Sequence, residues 1–85
     1  MNEPLMEAIA DEVKELLKEK NKSYGDGNIT SIGKQGILIR LQEKVERLKN
    51  MIEKDIDDKE SREDSWKDII GYGIIGTMVE RGGWE

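Results

Sequence analysis

The sequence contains neither cysteine nor histidine. Disulfide staples, thiolate nucleophiles, imidazole acid–base chemistry and ordinary zinc or haem sites are therefore excluded, and carboxylates are the only hard metal ligands left. Phenylalanine is also absent and proline occurs once, while Glu, Lys, Leu, Met and Ala fill the periodic stretches. That balance predicts an all-α chain. A long apolar run is missing too: the longest uncharged segment, Ile69 to Val79, has 11 residues, three of them glycine. It is too short to span a bilayer. Glu3, Glu7, Asp11 and Glu12 interrupt any secretory apolar region after Met1, so a soluble cytoplasmic protein is expected. The 14 Lys and Arg stand against 19 Asp and Glu, a net charge of −5 that disfavours nucleic acid and anionic membrane as partners.

The 85 residues make one small domain, with no room for a second core. Leu5, Met6, Ile9, Val13, Leu16 and Leu17 recur at helical spacing behind Pro4 and predict a first helix from about residue 4 to 21. Residues 22–33, rich in Asn, Ser and Gly, read as a loop ending at Thr30-Ser31, either of which is a candidate cap. A second helix over about 34–53 is expected to bury Ile37, Leu38, Leu41, Val45, Leu48 and Ile52. Ser61-Arg62-Glu63-Asp64 resembles a capping box at the start of a third helix, over about 60–80, that Gly82-Gly83 terminates. From Ile69 to Val79 this helix is apolar or small on every side, and a helix without a polar face is normally buried all round. Two other helices cannot surround it. A three-helix subunit completed by homo-oligomerisation, as a homodimer or homotetramer, is the expected remedy.

Charge is segmented along the chain. Residues 34–52 carry a net +3 and residues 53–68 a net −4. Arg40, Lys44 and Arg47 lie within about 60° of one another on the second helix. They form a stripe able to grip phosphate oxygens, or else a solvated face salt-bridged to its neighbours. Glu60, Asp64 and Asp68 form an opposing row one turn apart, suited to holding a hard divalent cation such as Mg²⁺ together with a ligand's phosphates. Acidic residues also crowd first turns simply to complement the helix dipole. Lys22 and Tyr24 place a cation and an aromatic ring beside Gly25, where they serve either as a lid that stacks on a base or as a helix terminator. Gly71-Tyr72-Gly73-Ile74-Ile75-Gly76 matches G-x-G-x-x-G but lacks the strand before it and the acidic residue beyond it that a dinucleotide site needs. Close helix approach is the simpler use of these glycines. No residue is singled out as catalytic.

Three blocks carry a family likeness: Lys22-Ser23-Tyr24-Gly25-Asp26, the run Gly36 to Leu48, and Glu60-Ser61 with Asp64 to Tyr72. They resemble the nucleotide modification associated domain family of phage and prokaryotic proteins, which is similar to the MazG-like all-α nucleoside triphosphate pyrophosphatases. The likeness spans roughly residues 19–78. It implies a MazG-like oligomer acting in a prokaryotic cytoplasm, holding Mg²⁺ through a Glu-Glu-x-x-Glu helix and a Glu-x-x-Asp helix, and cleaving a nucleoside triphosphate to monophosphate and pyrophosphate. This chain departs from that pattern: Glu43-Lys44-x-x-Arg47 puts two basic residues where acids are expected, and Asp64 and Asp68 are one residue farther apart than the family spacing. Cations in place of carboxylates shift the expectation from hydrolysing a nucleotide toward binding one. Three functions follow as expectations: a Mg²⁺-dependent pyrophosphohydrolase, a non-catalytic binder of nucleotides or nucleotide signals such as a phage sequestering protein, and a helical oligomerisation module.

Overall fold

A computed structural model describes residues 1–85 and contains helices only: α1 (Glu3–Tyr24), α2 (Gly27–Thr30), α3 (Gly33–Glu53) and α4 (Lys59–Glu80). The expected all-α class holds, with four helices instead of three. The difference lies in the segment read as a loop. α1 runs on through Lys22 and Tyr24, and α2 follows as a single turn that plugs Ile29 into the core at 5% exposure.

Several helix ends form differently from the sequence reading, each for a local reason. Asn2 caps α1 by accepting the Leu5 amide at 3.0 Å, two residues ahead of Pro4 in the first turn. Neither Thr30 nor Ser31 caps α3. Their hydroxyls turn back into α2, Thr30 donating to the Asp26 carbonyl at 3.2 Å and Ser31 to the Asn28 carbonyl at 3.3 Å. The break between α2 and α3 is made by Gly33 at φ +62°, a conformation that favours glycine. At α4 the cap is Asp58, not Ser61. Its carboxylate accepts both the Ser61 amide at 3.0 Å and the Ser61 hydroxyl at 2.7 Å, and these bonds hold its pKa below the ordinary carboxyl value. The C-terminus of α4 closes as expected, with the Gly82 and Gly83 amides returning to the Val79 and Met78 carbonyls.

The helices are organised around α4. α3 lies antiparallel beside it, and the ion pairs Lys34–Glu80 at 3.0 Å and Lys44–Asp68 at 3.4 Å fix their register. α1 crosses α4 obliquely, because Glu12 and Lys20, two turns apart on α1, reach the adjacent residues Lys67 and Asp68. Gly71 makes this crossing close: a Cβ there would come within 3.2 Å of Leu17 Cδ2. Val13 and Ser65 are fully buried, and Ile29, Ile37 and Ile75 form a core cluster that Leu17, Tyr72 and Trp84 flank. The Trp84 indole also donates to the Asp26 carbonyl at 3.0 Å, tying the C-terminal tail across the α1–α2 turn.

Burial is sparse. Of the apolar set expected to be inside on α3, Ile37 and Leu48 are buried, whereas Leu38, Val45 and Ile52 remain 63%, 41% and 55% exposed. Those three repeat every seven residues, so they share a strip turned roughly 80° from the Ile37–Leu48 side, and no other helix lies against it. Met51 is buried in their place. On α1, Leu5 and Met6 are likewise exposed. The accessible surface of 6392 Å² exceeds the value of about 5,100 Å² usual for a folded monomer of this mass. The Cα radius of gyration, 13.9 Å, similarly exceeds the usual value of about 12 Å for this length.

Two outcomes follow from this packing. Val13→Ala removes two methyl groups from a fully buried site and is expected to cost about 2 kcal/mol in a urea melt, with amide exchange rising first in α1. Asp58→Ala is expected to lower the melting temperature at neutral pH. Because the folded-state pKa of Asp58 is depressed, its contribution is present above the unfolded value of about 3.9 and is lost as pH falls through the lower folded value. Thermal melts across that window should show the variant and the parent converging in acid; a constant difference would contradict the cap.

Candidate functional site

Three helices bring their charges together at Asp68. From α4 its side chain, 15% exposed, sits between Lys20 of α1, whose Nζ is 3.1 Å from Oδ1, and Lys44 of α3, whose Nζ is 3.4 Å from Oδ2. The local sequence explains the convergence. Lys44 lies one turn before the core residue Leu48, and Asp68 lies three residues beyond the buried Ser65 and three before the α1 contact at Gly71. Helix packing therefore carries both charges to the seam, where partial shielding strengthens their attraction over that of a solvent-exposed pair.

The other predicted residues surround this point to differing degrees. Arg40 is half-buried one turn before Lys44, and Arg47 is exposed three residues after it. Arg47 also lies close enough to Asp58 to help hold that carboxyl ionised. In the α3–α4 register, Arg40 falls at the level of Tyr72 and Arg47 at the level of Ser65. Tyr24 is 67% exposed on the last turn of α1, one turn beyond Lys20, and Lys22 is exposed beside it. Both residues are helical, not parts of a loop. Lys20 is the member that the sequence reading missed. Its i, i+4 relation to Tyr24 is the only signal that placed it on the same face.

The acidic row divides. Glu60 and Asp64 are exposed one and two turns before Asp68, and no three carboxylates of the chain converge into a set that would hold a metal ion. A divalent cation on Asp68 would lie against two ammonium groups. As arranged within one chain, the donor set does not fit Mg²⁺.

What the cluster offers is directed positive charge. Lys20 donates to Asp68 Oδ1 at 3.1 Å, whereas Lys44 pairs with Oδ2 by charge at 3.4 Å. The carboxylate thus holds two cations side by side, with Arg40 and Arg47 of α3 about one turn to either side of Lys44. No protein-family model, curated protein or solved structure matches the chain.

Replacing Asp68 by asparagine leaves Lys20 and Lys44 facing each other without a counter-charge. The expected cost is about 1 kcal/mol in a denaturant melt at low salt, shrinking in high salt as the ammonium repulsion is screened. A loss independent of salt would assign Asp68 a packing role alone.

Proposed function

We propose that the chain is a nucleotide-binding protein of MazG-like kind that holds a nucleotide by its phosphates at the α1–α3–α4 seam and works as a homo-oligomer. The observation that carries the reading is the shielded Asp68 between Lys20 and Lys44. It pre-orients two cations that would otherwise repel each other, and pre-orientation lowers the ordering cost of binding an anion. Arg40 and Arg47 supply planar forks for further phosphate oxygens, and Tyr24 offers an exposed ring on which a base can stack. The likeness of the three sequence blocks to the nucleotide modification associated domain family supports the choice of a nucleotide over other anions.

Binding without turnover is the version that the geometry favours. Pyrophosphohydrolysis needs carboxylates free to hold a divalent cation beside the α-phosphate, and Asp68 is instead neutralised by lysines. A sequestering or sensing role for an intracellular nucleotide follows, with Glu60 and Asp64 serving the dipole and solvation of α4.

The test is to incubate the protein with Mg²⁺ and a mixed pool of nucleoside triphosphates, deoxynucleotides and cyclic nucleotides, then to chromatograph the filtrate and the denatured retentate. An intact nucleotide released from the retentate is expected. Monophosphate and pyrophosphate in the filtrate would establish hydrolysis, and an untouched pool with an empty retentate would reject the site. Once a ligand is identified, Arg40→Ala is expected to weaken it by about 1.5 to 3 kcal/mol, the range for a charge-assisted hydrogen bond, as read by calorimetric titration.

A further inference from the structure

The face of α4 turned away from the core is left uncovered by the chain. Trp66 and Ile70 are 53% and 42% exposed along it, followed by exposed Gly73 and Thr77. A Cβ built on Gly73 meets nothing within 4 Å, so an open groove runs between Ile70 and Thr77. We propose that a second copy of the chain covers this face, its α4 packing antiparallel to the first across a two-fold axis. The proposal names the surface for self-association and does not depend on the nucleotide reading.

Two observations carry it. The first is area. The chain exposes about 1,300 Å² more than a compact monomer of its mass. A standard interface takes about 800 Å² from each partner, so one dimer contact fits within that excess. The second is self-complementarity in shape and charge. A two-fold axis passing between Gly71 and Tyr72 sets Ile70 opposite the second copy's Gly73 and Trp66 opposite the second copy's Thr77. Each large side chain then meets a small one. Glu63 and Arg81 lie on one flank of this strip, about 60° from Trp66 around the helix. Neither makes an ion pair within its own chain. The same two-fold operation brings Glu63 to within one residue of the level of the second copy's Arg81, on the same side. A parallel pairing would instead set Trp66 against Trp66 and would carry Glu63 and Arg81 of the two copies to opposite flanks and different levels.

Sedimentation equilibrium of the full chain without nucleotide, over a wide range of protein concentration, tests the interface. The expected mass is twice 9.7 kDa or an even multiple of it. Gly73→Glu places a side chain into open space on a single chain but into the contact of the pair, so it is expected to give a monomer with unchanged helical circular dichroism. Cysteine placement checks the geometry independently in a chain that has none of its own. Trp66→Cys combined with Thr77→Cys, about 16 Å apart on one helix and unable to bridge within it, should oxidise to a covalent dimer. Trp66→Cys alone should remain uncrosslinked. A monomeric parent, a Gly73→Glu variant still dimeric, or crosslinking by Trp66→Cys alone would each overturn the proposal.

Discussion

The structure depends on covering one helix. α4 has no polar face from Ile69 to Val79, yet the chain supplies only α3 alongside it and α1 across it, and these two are joined chiefly through α4. Close approach makes the most of that limited cover. Gly71 admits Leu17, and Ser65, fully buried, satisfies its hydroxyl by donating to the Ser61 carbonyl at 3.1 Å. What remains uncovered is the opposite side, where Trp66 and Ile70 meet water. A large exposed apolar strip on a small chain points to association.

Charge then does what apolar area cannot. Lys34–Glu80, Lys44–Asp68, Lys20–Asp68 and Glu12–Lys67 link α4 to both neighbours and set register and crossing point. Lys34–Glu80 and Glu12–Lys67 are largely exposed and contribute little to stability individually. The pairs at Asp68 differ because three helices shield the carboxylate. Two ammonium groups held side by side by one carboxylate join the α1–α3–α4 seam, and the proposed phosphate site would use those same cations.

The helical class and the three long helices were legible from composition and spacing, because amphipathic periodicity on α1 and α3 is a strong signal. Of the basic and acidic stripes, one pair meets, Lys44 with Asp68, as the opposite local charges of their helices suggest. α2 was not, because Ile29 is one apolar side chain in a polar, glycine-rich stretch, and only its fit beside Ile37 and Ile75 makes a helical turn worthwhile. Caps were misread where several hydroxyl or carboxyl residues competed locally, with Asp58 taking the Ser61 amide and Thr30 and Ser31 bonding backward. Lys20 is hard to find because its partner is 48 residues away and its i, i+4 relation to Tyr24 is the only local mark. Leu38, Val45 and Ile52 were counted as core because periodicity reports an apolar face without saying whether the same chain covers it.

The proposals for α4 have two halves: a second copy covers its apolar face, and its charged side receives a phosphate ligand. Native mass spectrometry of the protein after exposure to a mixed nucleotide pool tests both halves in one spectrum. Assemblies with an even number of 9.7 kDa chains, carrying added masses of intact nucleotides, are expected. Bare single chains as the only ions, under conditions that preserve known weak dimers and nucleotide complexes, would refute both halves.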